Sequence, residues 1–307
     1  MDAMAVTSAL LVTYMWPPSG GVGTGRVLKL AKYLPSWGVT PAVLTVSNPS
    51  VPNRDDSTLK DVHPGIEILR ARTFEPGYAA KQAAWQTTTE ASRPTLKKRV
   101  VGRATALARH LLIPDPQLLW QPDVHRVLVK RALSGRADDV VFVTAPPFSE
   151  FLCAPAVRAL GRSAVVLDYR DEWLTIRTQY EMSGRLSRVL GGPLEHAVLR
   201  CAHVITTATD AFRENLLSHF PFLDPGRVVT IENGFDADDF PRTLPEPPSD
   251  RFVLTYAGSV FKQNSPRGLL GAVRRLHERE PDLAKLLDVV FMGRIVDTEL
   301  PHFEDTQ

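Results

Sequence analysis

With 307 residues, the chain is long enough for one large or two medium domains around a buried core. Its composition, 44% hydrophobic and 23% charged, is that of an ordinary globular protein, and a formal net charge of +2 excludes the bulk basicity that nucleic-acid binding uses. Two cysteines, Cys153 and Cys201, with no CxxC pair, argue against a disulfide framework or a thiolate zinc site and fit a reducing cytoplasm. The apolar stretch 3–12 is too short to span a bilayer and lacks the basic start and cleavage pattern of a signal peptide. A cytoplasmic, soluble protein is therefore expected, at most resting on a membrane.

The first predicted element is the strand Ala9-Leu10-Leu11-Val12-Thr13, apolar and uncharged as a strand covered on both faces must be. Pro17-Pro18 ends it, because proline has no N–H for a ladder. Gly20-Gly21-Val22-Gly23-Thr24-Gly25 follows, and from Arg26 the residues Val27, Leu28, Leu30, Ala31 and Leu34 recur at helical spacing. Glycines let backbone amides approach a ligand closely, and a helix start adds partial positive charge. The turn reads either as a cradle for something anionic or as a tight strand-to-helix turn, and spacing alone leaves both open.

A second strand is expected at 42–46, a loop at 48–56 and a third strand at 66–72. Residues 72–94 are irregular, and a loop of that length is usually functional or disordered. In 95–112, Leu96, Val100, Ala104, Leu107 and Leu111 form one stripe, while Lys97, Lys98, Arg99, Arg103 and Arg109 add charge. Such a helix either contacts an anionic membrane surface or packs on the core with its cations in water. Next come a helix at 124–133, a strand at 140–145 stopped by Pro146-Pro147, and a helix capped by Ser149 running to 160. A strand at 164–169, a helix at 186–201, a strand at 203–208, a helix capped by Thr209 or Asp210, and a strand at 227–232 complete the series. Alternation of this kind predicts an α/β fold with a doubly wound, mostly parallel sheet. The Pro-rich run around 240–248 reads as a linker, after which a strand at 252–257, a helix at 269–279 and a strand at 289–292 open a second Rossmann-like domain. The expected division is 1–239, a linker at 240–250, and 251–307.

Several chemistries are disfavoured. A dinucleotide fingerprint wants glycine or alanine where Arg26 stands and an acid after the second strand, where Thr45-Val46-Ser47-Asn48 offers none. A P-loop lacks its lysine-hydroxyl pair, and no Gly-x-Ser-x-Gly elbow exists. His110, His125, His196, His203 and His219 have no second ligand at helical spacing, so no metal site is expected. The cluster Asp168-Tyr169-Arg170-Asp171-Glu172-Trp173 closes a central strand, at the sheet edge where ligands bind in open α/β folds. Asp168 or Asp171 offers a proton acceptor and Arg170 an anion contact. The alternative is a salt-bridged strand end with Trp173 packed as a lid.

The order of Pro17-Pro18-Ser19-Gly20-Gly21-Val22-Gly23, Trp37-Gly38-Val39-Thr40-Pro41-Ala42-Val43-Leu44-Thr45, Ala145-Pro146-Pro147-Phe148-Ser149, the 168–173 cluster, Ile231-Glu232-Asn233-Gly234-Phe235-Asp236 and Tyr256-Ala257-Gly258 resembles the amino-terminal half of glycosyltransferase family 4. So does 195–208, an acid before a helix and then His203-Val204-Ile205-Thr206-Thr207-Ala208. The resemblance implies the GT-B architecture, two facing Rossmann-like domains. It also implies sugar transfer from a nucleotide diphosphate donor with retention, needing neither metal nor another cofactor. The partners it implies are the nucleotide sugar and a glycan or lipid-linked acceptor in cell-surface polysaccharide or glycolipid synthesis, the latter giving 95–112 a membrane role. Carried over, Gly20, Gly21 and Gly23 would face the cleft beside donor phosphate and acceptor. Arg170 and Asp171 would line the acceptor side as the catalytic pair, and Asn233 and Gly234 would shape the exit to the linker. Lys262, Asn264 and Arg267 follow the first strand of the second domain, where the family places donor-phosphate cations, although their register departs from the usual one. The family's second domain continues well beyond 307, so the resemblance implies a truncated second lobe. Poor solubility, dimerisation or a separate partner lobe is then expected, because a half-built sheet exposes edges and apolar faces. A non-catalytic acceptor-binding lobe is the competing function. A nicotinamide-dependent enzyme is disfavoured by the missing acid after the second strand.

Overall fold

Seven strands lie side by side, all parallel, in the order β3-β2-β1-β4-β5-β6-β7. They are β1 (Thr7–Val12), β2 (Val39–Val46), β3 (Glu67–Ala71), β4 (Val140–Ala145), β5 (Ala164–Tyr169), β6 (Val204–Thr207) and β7 (Val228–Thr230). The computed structural model describes residues 7–81, 112–173, 185–243, 246 and 250–304. The expected basic helix at 95–112 lies, apart from its last residue, outside the described residues, and so does much of the Pro-rich linker.

Strand period explains why these runs are apolar throughout. Successive side chains point to opposite faces, so Leu10 and Val12 of β1 enter one core while Leu11 enters the other. Helix α1 (Val22–Tyr33) covers the second core with Val27, Leu28 and Ala31 against Leu11 and Val43. The larger core takes α2 (Gln121–Leu133), α3 (Ala154–Leu160), α4 (Arg185–Leu199) and α5 (Asp210–His219), through Val124, Leu128, Val157, Val198 and Leu216. Each such aliphatic side chain contributes about 1.5–3 kcal/mol when fully buried.

Local signals place most boundaries. Thr209 caps α5 by accepting from the Phe212 N–H at 3.1 Å, which selects it over Asp210. Two expectations need correction. Helix α1 starts at Val22, not Arg26, so Gly23 and Gly25 are helical and Gly21 is the cap residue. Ser149 caps nothing: it is buried inside the turn Phe148–Cys153 and donates its hydroxyl to Asp115 Oδ1 at 2.6 Å. Asp115, on the loop before α2, also accepts from the Ser149 N–H. The carboxylate on that distant loop does the capping that the sequence assigned to a serine nearby.

The chain divides into two compact units, Met1–Asp236 and Ala237–Gln307. In the second, β8 (Phe252–Ala257) pairs in parallel with β9 (Leu287–Met292), joined through α6 (Arg267–Arg279) and a short helix, Pro281–Ala284. Among the described residues no helix is long and apolar enough to cross a membrane.

Candidate active site at the switch point of the sheet

Strand order reverses direction between β1 and β4, and the C-terminal edge there is where an open parallel sheet leaves a crevice. The chain leaving β1 runs through Pro17-Pro18 and back against residues 53–55. Gly20 N donates to Asn53 O at 3.0 Å and Asp55 N to Pro18 O at 2.8 Å. Gly20 is buried, and a Cβ there would lie 3.3 Å from the Cβ atoms of both Asn53 and Asp55. Its amide is therefore committed to protein.

Gly21 is different. It is exposed, with φ 107° and ψ 162°, a region populated almost only by glycine. Val22 beside it is 99% exposed. Among the described residues nothing accepts from the N–H groups of Gly21, Val22 or Gly23, as expected for the first turn of a helix. Gly21→Ala should cost about 1–3 kcal/mol through backbone strain. Urea unfolding checks this, and an unchanged midpoint would contradict it.

Arg170, leaving β5, reaches across to that helix start. Its guanidinium donates to the carbonyls of Gly23 and Pro146, tying the first turn of α1 to the β4 loop. A Cβ on Gly23 would lie 3.0 Å from Arg170 Nη1, so any larger residue there would press on the guanidinium that braces this turn. Arg170 Nε is buried without an acceptor among the described residues. Burial pushes the Arg170 guanidinium below its usual range, against the nearby charges of Glu150, Asp168 and Asp171. Asp171, next along, is half-buried, and desolvation raises its carboxyl above the ordinary range while Arg170 pulls it down.

Strand alternation splits the 168–173 cluster between two faces. Asp168 is fully buried towards α1 and takes Arg26 bidentately, Nη2 to Oδ1 at 2.8 Å and Nε to Oδ2 at 3.0 Å. Thr144 and Thr206 hydroxyls donate to the same carboxylate at 2.7 and 2.6 Å. Arg26 Nη1 goes on to Glu232 O and Asn233 Oδ1, both at 3.2 Å. Every lone-pair direction of Asp168 is thus engaged, and the salt-bridged reading of this strand end holds. Trp173 is also buried, stacked on Phe148 at 5.3 Å and 13°. On the opposite face Tyr169, Trp173, Glu195 and Phe212 line a solvent-open crevice with about 330 Å³ of empty space. Burial and the adjacent Glu195 carboxylate raise the Tyr169 hydroxyl well above its usual range.

Sequence reasoning missed Arg26, Glu150 and Asp236. Arg26 stood as the residue that spoils a dinucleotide fingerprint, and nothing local pairs it with an acid 142 positions away. Asp236 accepts from Lys29 and Lys32 at 2.7 Å and from the Tyr33 hydroxyl at 2.6 Å, fastening the 233–236 exit to α1. Glu150 is fully buried, with Oε1 accepting from Tyr14 N at 2.8 Å, and desolvation drives its carboxyl well above the usual range despite Arg170 nearby. A carboxyl raised on folding binds its proton more tightly in the folded state. Stability is then full below the unfolded value near 4.5 and falls as pH climbs towards the folded one, by up to about 1.4 kcal/mol per pH unit. Glu150→Gln keeps the acceptor for Tyr14 and should flatten that slope. Unfolding free energy measured across pH 4–8 tests it, with buried Asp115, also raised by desolvation, supplying the residual slope.

Lys262, Asn264 and Arg267 belong to the second unit. Lys262 and Asn264 lie in the turn Lys262–Asn264 and Arg267 opens α6, and all three are exposed.

No known family profile matches the sequence, and neither does any curated protein. Solved structures match in fold. Anabaena Alr3699/HepE in complex with UDP-glucose aligns with a TM-score of 0.52 and 12% identity, over 97% of this chain and 64% of that one. The E. coli trehalose-6-phosphate structure bound with UDP-2-fluoro glucose gives 0.55 and 12%, over 98% and 69%. The catalytic domain of starch synthase IV from Arabidopsis thaliana, bound to ADP and acarbose, gives 0.55 and 13%, over 98% and 71%. This chain thus spans a little under two thirds of the first and about seven tenths of the others. The structural neighbours are GT-B glycosyltransferases, and at such identities the likeness defines the fold: α/β, Rossmann-like.

Proposed function

We propose that the chain is a glycosyltransferase of family 4 type, moving a sugar from a nucleotide diphosphate donor to a glycan or lipid-linked acceptor with retention at the anomeric carbon. The supporting observation is the open first turn of α1 at the switch point, with its capping glycine exposed and Arg170 bracing it from β5. Backbone N–H groups and a helix start are suited to an anionic group, and their directions are fixed before the ligand arrives.

In this reading Gly21 and Gly23 present the first-turn amides to donor phosphate or acceptor, while Gly20 sets the loop by packing on 53–55. Arg170 works chiefly as a positioning residue through the Gly23 carbonyl. Asp171, half-buried with a raised carboxyl, is the better candidate for orienting the acceptor hydroxyl. Lys262, Asn264 and Arg267 in the second unit supply charge and polarity for the leaving diphosphate. A role in cell-envelope polysaccharide or glycolipid assembly, at the inner face of the membrane, follows from the family resemblance and from the basic stretch 95–112.

Calorimetric titration of the chain with UDP-glucose, ADP-glucose and GDP-mannose tests the donor part. One donor should bind saturably, at least tenfold more weakly in Lys262→Ala/Arg267→Ala. Binding of a glycan acceptor without binding of any donor would leave the acceptor-binding lobe as the correct description. Equal sedimentation with anionic liposomes of the wild type and a Lys97/Lys98/Arg99 charge-reversed variant would remove the membrane role.

A further inference from the structure

At the other edge of the sheet, where β6 and β7 begin, a crevice with about 590 Å³ of empty space is lined by Arg200, His203, Phe222, Asp224 and Arg227 among others. Its charge is one-sided. Among the described residues no carboxylate lies within ion-pair distance of Arg158, Arg200 or Arg227. The acid in the lining, Asp224, uses Oδ1 to accept from Gly226 N at 2.9 Å.

The cations are also held in place. Arg227 Nε donates to His203 O at 3.0 Å. Arg200 lies over the Phe222 ring at 5.6 Å, and that ring is stacked on His196 at 4.4 Å. His203 carries the most telling arrangement. Its Nδ1 accepts from the Val165 N–H at 2.8 Å, which places the proton of a neutral imidazole on Nε2. Nε2 in turn faces Arg158 Nη1, a second donor. An oxyanion lying beside this edge of the ring can accept from the Nε2–H.

We infer that this crevice is a binding site for a phosphate-bearing anion, held by Arg200, Arg227 and His203, with Arg158 beside the His203 ring, at the edge of the sheet remote from the switch point. A tetrahedral oxyanion has enough lone pairs to accept from several guanidinium forks and an imidazole at once. It would also supply the negative charge that the group lacks. The groups facing His203 are Arg158 from α3, Arg227 ahead of β7 and Val165 N–H from β5. Burial, then the Arg158 and Arg227 charges, hold the imidazole below its ordinary range. A bound anion reverses the second of these causes.

The test follows the His203 ring by proton–nitrogen NMR in the full chain while inorganic phosphate, glycerol 3-phosphate, or vesicles of phosphatidylglycerol against phosphatidylcholine are added. Sodium chloride of matched ionic strength is the control. The expected result is a saturable shift of the His203 ring signals and a rise in its pKa on adding phosphate, weakened at least tenfold in Arg200→Ala. The Arg200 side chain bonds no backbone group among the described residues, and Arg227→Lys, which keeps the charge but loses the planar fork, should also weaken phosphate binding. A response to both soluble phosphates identifies a small-molecule ligand. A response confined to phosphatidylglycerol vesicles identifies a lipid headgroup carrying the same chemistry. Shifts no larger than those from sodium chloride in every arm, or equal affinity in Arg200→Ala, would overturn the proposal.

Discussion

Asp168→Asn is expected to remove about 3–5 kcal/mol of folding stability, because it strands the Arg26 guanidinium in a site where only a tenth of that side chain is exposed. A single domain is typically stable by about 5–15 kcal/mol, so the variant should sit near its unfolding threshold. The loss goes beyond one ion pair. Thr144 and Thr206 donate to the same carboxylate, and Arg26 carries the connection on to Glu232 and Asn233. Carboxamide in place of carboxylate leaves one acceptor oxygen for four donors. Urea unfolding followed by tryptophan fluorescence measures the effect, since buried Trp120 and Trp173 both report on this unit. Arg26→Met should cost a similar amount, by leaving Asp168 buried and unpaired. The double variant should cost less than the sum, because each change removes the penalty of the other. A loss under about 1 kcal/mol for Asp168→Asn would mean the network is not an anchor.

Arg170→Lys should act on stability and on turnover together. Lysine has a single ammonium where arginine has a planar fork, so one ammonium replaces separate donors to the Gly23 and Pro146 carbonyls. Leaving a buried carbonyl without its donor costs about 1–3 kcal/mol, and these two are half-buried, so a destabilisation of about 1 kcal/mol is expected. Hydrogen exchange should quicken most in the first turn of α1, which Arg170 braces. If the proposed transfer reaction uses that turn, turnover should fall at least tenfold. Asp171→Asn separates the two effects: relieving a desolvated charge should leave stability nearly intact, so any loss of turnover there belongs to chemistry. Full activity and stability in Arg170→Lys would show that the brace is dispensable.

The sequence by itself determined the layered fold. Uncharged runs such as Ala9–Val12 and Val140–Ala145 must be covered on both faces, and helices alternating with them leave a parallel sheet as the arrangement that buries both. It also placed the glycine-rich stretch and the 168–173 cluster at the same edge of the sheet, because both follow strands that run parallel. Caps and turns were legible where the partner is a near neighbour, as with Thr209 and Phe212.

Only the tertiary structure decided what each polar residue does. Whether Asp168 takes a proton or an ion pair depends on Arg26, which the fold brings to it from α1. Whether Ser149 caps a helix depends on Asp115, and whether Gly20 can meet a phosphate depends on Asn53. The physical reason is range. Hydrophobic periodicity is a local property of the chain, whereas a buried charge is satisfied by whatever donor packing delivers, at any separation in sequence. The glycine-rich turn shows both sides: its glycines announce a close approach, but only the fold packs Gly20 on the 53–55 loop, sets Gly23 against Arg170, and leaves Gly21 as the exposed cap of α1.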